Sequence, residues 1–89
     1  MTYQDEVASG RRVAERILAE ELQLVGFIVA SARWIDTNGF ADYHILAWER
    51  NGRSERWRIS ESHLADVVAT PGIENALRGQ VKELLRAAR

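Results

Sequence analysis

Cysteine is absent from this sequence of 89 residues. That excludes a disulfide framework and thiolate metal sites, so stability has to come from packing, within the chain or against another copy. Lysine occurs once, at Lys82, and proline once, at Pro71. No apolar run approaches the ~18 residues of a membrane span. The opening Met-Thr-Tyr-Gln-Asp-Glu is polar and acidic, unlike a secretory signal, so the expected compartment is the cytoplasm. Neither charge dominates: the formal net charge is −1, whereas a polyanion binder normally shows a basic excess.

The residues present are 46% hydrophobic and 28% charged, the balance of a soluble globular protein. The length implies one small domain over residues 1–89, with a thin core: folding at this size hides only somewhat over ~60% of the unfolded chain's surface. Charge is unevenly spread. Residues 43–60 carry four arginines and two glutamates, while residues 1–25 carry five acids and three bases.

The first element is a predicted helix over Tyr3–Leu24. Thr2 and Asp5 have capping-box spacing, and Val7, Ala14, Leu18, Leu22 and Val25 draw one apolar stripe that Ile17 widens. Gly10 weakens its first turns, and Gly26 is a natural stop. "FIVASARWI", residues 27–35, reads as a strand with little alternation. Its even set, Ile28, Ala30, Ala32 and Trp34, is the better core face. Its odd set, Phe27, Val29, Ser31, Arg33 and Ile35, is far from polar, so the strand needs cover on both sides or a partner. "DTNGFAD" is a loop.

"YHILAWERNGRSERWRIS" is a hairpin. Asn51-Gly52 suits a type I′ turn, which needs positive φ at both central residues. A two-residue turn pairs Arg50 with Arg53 and fixes everything upstream: Trp48 faces Glu55, Leu46 faces Trp57, and His44 faces Ile59. Trp48 and Trp57 therefore share a core face with Leu46 and Ile59, while Tyr43, Ile45, Ala47, Arg56 and Arg58 share the other. Ser60 caps a short helix holding Leu64, Ala65, Val67 and Val68. Thr70-Pro71 starts the last helix, with Ile73, Leu77, Val81, Leu84, Leu85 and Ala88 as its apolar side. The expected fold class is α+β, in the order α-β-β-β-α-α, a three-stranded antiparallel meander packed by helices.

Catalytic and metal patterns are weak. Asp42 and His44 share a strand face, and His63 and Asp66 share a helix face, but HExxH and clustered ligand spacing are missing. Ser60-Glu61-Ser62-His63 sets a serine beside a histidine, but sequence neighbours on a helix point apart, and Ser60 as a cap explains the segment better. Glu20-Glu21 sits in a solvated helical setting. The six glycines are scattered and form no phosphate loop. The chain is accordingly expected not to be an enzyme and to use no cofactor and no metal.

The helix, three-strand, helix order is similar to that of double-stranded-RNA-binding domains, in topology alone. That family places a lysine-rich cluster at the start of the helix after the third strand, whereas "SESHLAD" here is acidic. The resemblance therefore argues against duplex RNA.

Function is read from the second sheet face. Phe27, Val29, Ile35, Tyr43 and Ile45, rimmed by Arg33, Arg56 and Arg58, combine aromatic, aliphatic and arginine side chains as protein interfaces do. The expected activity is a non-catalytic protein-interaction module, with a second copy of the chain as the first candidate partner. Small cysteine-free domains without an active site also look like phage-encoded inhibitors such as anti-CRISPR proteins, so a regulator of a larger assembly is a branch of the same reading. The alternative is nucleic-acid binding by the arginine-bearing hairpin, Arg50, Arg53, Arg56 and Arg58 with Arg33. No membrane partner is expected.

Overall fold

The computed structural model of the chain describes residues 2–28, 31–35 and 42–87. Its elements are α1 (Tyr3–Leu24), β1 (Ala32–Ile35), β2 (Tyr43–Arg50), β3 (Arg53–Ser60), α2 (Glu61–Asp66) and α3 (Ile73–Ala87). This is the α+β order expected, with one antiparallel sheet in the order β1-β2-β3.

Both ends of α1 are chemically defined. The Thr2 hydroxyl accepts from the Asp5 N–H at 3.2 Å, and the Asp5 carboxylate accepts from the Thr2 N–H at 3.2 Å, completing the capping box. At the other end Gly26 takes φ +88. The Phe27 N–H then reaches the Leu22 carbonyl at 2.9 Å and the Gly26 N–H reaches that of Gln23 at 3.0 Å, a Schellman stop. Gly10 has a different role from the weak spot its helix propensity suggests. It is buried where α1 crosses α2, and a Cβ there would lie 2.5 Å from the Leu64 carbonyl carbon and closer still to its oxygen. Only a residue without a side chain lets the two backbones approach so far.

The hairpin has the register that its turn dictates. Asn51 and Gly52 adopt φ 54 and 76, and the pairs run from Arg50↔Arg53 through Leu46↔Trp57 to Tyr43↔Ser60. On the other side, Trp34 pairs with Leu46 and Ile35 with Ile45. Even-numbered positions of β1 and β2 and odd-numbered positions of β3 face the helices, and the two sides of the sheet are called even and odd after β2. Trp57, Leu46 and Ile59 are fully buried against Ile17 and Leu18 of α1, Leu64 of α2, and Leu77 and Val81 of α3. Each such side chain contributes about 1.5–3 kcal/mol through burial. The indole N–H groups are also satisfied: Trp34 donates to Glu15, Trp48 to Glu55 and Trp57 to Gln80.

Three expectations need correction. The first strand covers Ala32–Ile35, not residues 27–35. Ile28 of the proposed core set is 92% exposed; chain emerging from the Gly26 turn has not yet joined the sheet there. The last helix starts at Ile73, because Pro71 and Gly72 form a turn with Gly72 at φ +97. The Gly72 carbonyl accepts the first helical bond, from Ala76 at 3.0 Å. Glu21 is not solvated but 4% exposed, held by Arg78 at 2.9 Å, which also binds Glu20 at 2.8 Å. With Arg16–Glu74 at 2.6 Å, these pairs fasten α3 along α1. The expected Ala88 of the last helix lies outside the described residues.

Candidate functional site

All three helices pack on the even side of the sheet, so the odd side carries none of them. Pleat and register decide what stands there. One row is Arg33–Ala47–Arg56, the next Ile35–Ile45–Arg58, and Tyr43 lies beside Ser60 at the end of the ladder. Toward the turn follow Glu49 and Ser54. Ala47 is only 4% exposed although no helix covers it, because Arg33 and Arg56 flank it in neighbouring strands. Ile35, Tyr43 and Ile45 are half-buried, and Arg33, Arg56 and Arg58 are exposed. The Arg58 guanidinium lies 3.7 Å from the centroid of the Tyr43 ring, a diagonal cross-strand stack that holds both side chains flat on the sheet. Among the described residues, none of these three guanidiniums forms an ion pair. Among the described residues Glu49 is the acid of this face, so they carry an excess of positive charge.

Six of the eight residues expected at the partner surface are therefore brought together: Arg33, Ile35, Tyr43, Ile45, Arg56 and Arg58. Phe27 is elsewhere. Its ring packs against the core from the helix side, beneath the Arg50 guanidinium at 5.3 Å. Phe27, Ile28 and Ser31 are not strand, so odd–even alternation does not extend back to Phe27. Val29 lies outside the described residues. Glu49 and Ser54 belong to the face and were legible from the hairpin register, had polar positions been counted with the apolar ones.

The histidines do not form the arrangement their spacing raised. His44 faces the helices, with both ring nitrogens engaged. Its Nδ1 accepts from the Arg11 Nε–H at 3.0 Å, which fixes the proton on Nε2, and Nε2–H donates to Glu61 at 3.0 Å. The Tyr3 hydroxyl donates to the other Glu61 oxygen at 3.2 Å. Arg11 also stacks on Trp34, 4.7 Å from the ring centroid. This cluster joins α1, β2 and α2, and it leaves no imidazole lone pair free for a substrate or a metal. The hydrogen bond from His44, aided by that from Tyr3, holds the Glu61 carboxyl below the ordinary carboxylate range. His63 makes no side-chain pair with Ser60: its backbone N–H binds the Ser60 hydroxyl at 3.2 Å as a helix cap. Among the described residues no group of three or more histidine and carboxylate side chains could hold a metal, and no helix is long and apolar enough to cross a membrane.

A second concavity opens at the hairpin end, between the last turn of α1, the turn itself and the last turns of α3. Beneath it Glu55 and Arg50 form a buried pair at 2.9 Å, with Trp48 donating to the same carboxylate at 2.9 Å. Sequence reasoning missed this place, since it is assembled from three element ends that are distant along the chain.

The fold and site together define a small α+β domain with its helices on one side of a meander and, on the other, an arginine-bearing sheet face that none of these helices covers. The chain matches no protein-family model, and neither curated proteins nor solved structures show a significant similarity to it.

Proposed function

We propose that the protein is a non-catalytic interaction module that receives a protein partner on the odd face of its sheet. The observation that carries this reading is a half-buried apolar centre, Ile35, Tyr43 and Ile45 around Ala47, framed by Arg33, Arg56 and Arg58 without carboxylate partners among the described residues. Such a surface complements a partner with carboxylates around apolar side chains. Two copies meeting by this face would bring both sets of arginines together, so charge favours a different protein over a second copy. A small regulator or inhibitor of a larger assembly fits the same geometry.

Size adds a constraint. Three strands about 4.8 Å apart and at most about 26 Å long give a centre of the order of 250 Å2. A stable interface buries about 800 Å2 on each side. The arginines and the surrounding chain must therefore carry much of the contact.

A photo-crosslinking residue at position 45, with one at the exposed Val68 as control, tests the reading in cells that express the protein. A discrete protein adduct from position 45 alone, lost in Arg56→Glu/Arg58→Glu, is expected. Light scattering is expected to show a monomer. A dimer broken by Ile45→Glu would make a second copy the occupant. Three guanidiniums without an ion pair among the described residues, and a Tyr43–Arg58 stack, are also what a nucleic-acid surface would use. A salt-steep gel shift that Ile45→Glu leaves unchanged, with no protein adduct, would replace the proposal by that one.

A further inference from the structure

The concavity at the hairpin end is a groove of about 650 Å3, within the range of about 300–1,000 Å3 typical of small-molecule sites. One wall is apolar: Leu24, Val25, Phe27 and Leu85. Leu24 is 75% exposed, yet the Schellman turn at Gly26 fixes it beside the groove. The rest of the lining is polar and mostly cationic, with Arg53, Lys82 and Arg86 beside Asn51 and the Glu21 carboxylate. Little neutralises these three. Lys82 reaches Glu21 only at 3.7 Å, and Glu21 is already held by Arg78 at 2.9 Å. Arg86 meets Glu83 at 3.3 Å in an exposed pair that solvent screens. Arg53 forms no ion pair among the described residues. Arg50, at the base, is occupied by Glu55 and by the Leu85 carbonyl at 3.3 Å, so it acts as a fixed floor.

We propose that this groove binds a small amphiphile with an anionic head, a carboxylate on an aliphatic body. The head is set by Arg53 and Lys82, and the tail runs along Leu24, Val25 and Phe27. Cations that the chain itself neutralises only weakly select the anion, and exposed aliphatic side chains gain by covering the tail. A groove of this volume has room for one such molecule, whereas a bilayer surface needs a broad convex apolar face. The groove lies on the helix side, so it is independent of the odd sheet face and its partner.

The test is a titration of the isotope-labelled full chain with octanoate, followed by amide NMR, beside 1-octanol and anionic phospholipid vesicles. Octanoate is expected to give saturable shifts centred on Val25, Asn51, Arg53 and Lys82. The uncharged alcohol should bind about tenfold or more weakly. Arg53→Gln/Lys82→Gln changes two exposed residues without setting a new acid beside Glu21 and should abolish saturation. Leu24→Ser, exposed as well, should weaken binding and serves if the double variant folds poorly. The proposal is overturned by wild-type shifts that do not saturate, by equal affinity for octanol, by shifts centred on the sheet, or by vesicle binding without octanoate binding.

Discussion

A methyl group at position 10 has no space to occupy. The α1 backbone meets the carbonyl of Leu64 there, and a Cβ would sit 2.5 Å from its carbon and 2.7 Å from its Cα. Backbone cannot swing aside as a side chain can. Gly10→Ala, a change that normally helps a helix, is therefore expected to cost about 3 kcal/mol or more, at or beyond the upper end for overpacking. Thermal unfolding measures this directly, and an unchanged or raised melting temperature would mean that the α1–α2 crossing is looser than described. His63 poses the opposite case. Its Nδ1 is buried and has no hydrogen-bond partner among the described residues, a standing cost that an apolar residue of similar size removes. His63→Leu should leave stability unchanged or raise it by up to about 1 kcal/mol. A clear loss in urea unfolding would show that the nitrogen is bonded in solution.

Beside the shared core, polar side-chain pairs cross between elements, and two of those pairs titrate. Glu61 links β2 to α2 through His44, and Glu20 links α1 to α3 through Arg78, whose hydrogen bond is the chief cause lowering the Glu20 carboxyl. Both folded-state values lie below their unfolded ones. On acidification the unfolded chain takes up protons first, so this stabilisation is full above the ordinary carboxylate range and is lost as pH falls through the folded values. Urea midpoints should drop between about pH 7 and about pH 3, and Glu61→Gln should flatten part of that slope. A slope identical in the variant would remove Glu61 from the account. Legibility in the sequence follows the same division. Asn51-Gly52 specifies a turn, the turn specifies register, and a period of two then places every hairpin residue on a face. "FIVASARWI" has no such period, so nothing local shows that its first residues stay out of the sheet. Glu21 reads as solvated because its partner, Arg78, is 57 residues away.

For the molecule as a whole, apolar residues on both sheet faces do not tell which face the helices choose, and only the assembled core shows that they share one. That choice makes the two faces respond differently to substitution. Trp57→Ala, on the helix side, should cost roughly 3–5 kcal/mol. Ile45→Glu, on the odd side, should change stability by about 1 kcal/mol or less, since its side chain meets Ile35 and Arg58 and no helix. Parallel denaturant curves for the two variants check the assignment. A large loss for Ile45→Glu, with the protein monomeric, would mean that the odd face is covered within the chain.

The bonding of the three indoles has an optical consequence. Trp34 is tied to Glu15 of α1, Trp48 to Glu55 across the hairpin, and Trp57 to Gln80 of α3. Each chromophore thus sits at a different joint, one where the edge strand meets the first helix, one inside the hairpin, and one where the sheet meets the last helix. Variants retaining one tryptophan would give three separate emission signals from the same unfolding experiment. Their coincidence or separation would reveal whether the last helix leaves the sheet together with the first or ahead of it.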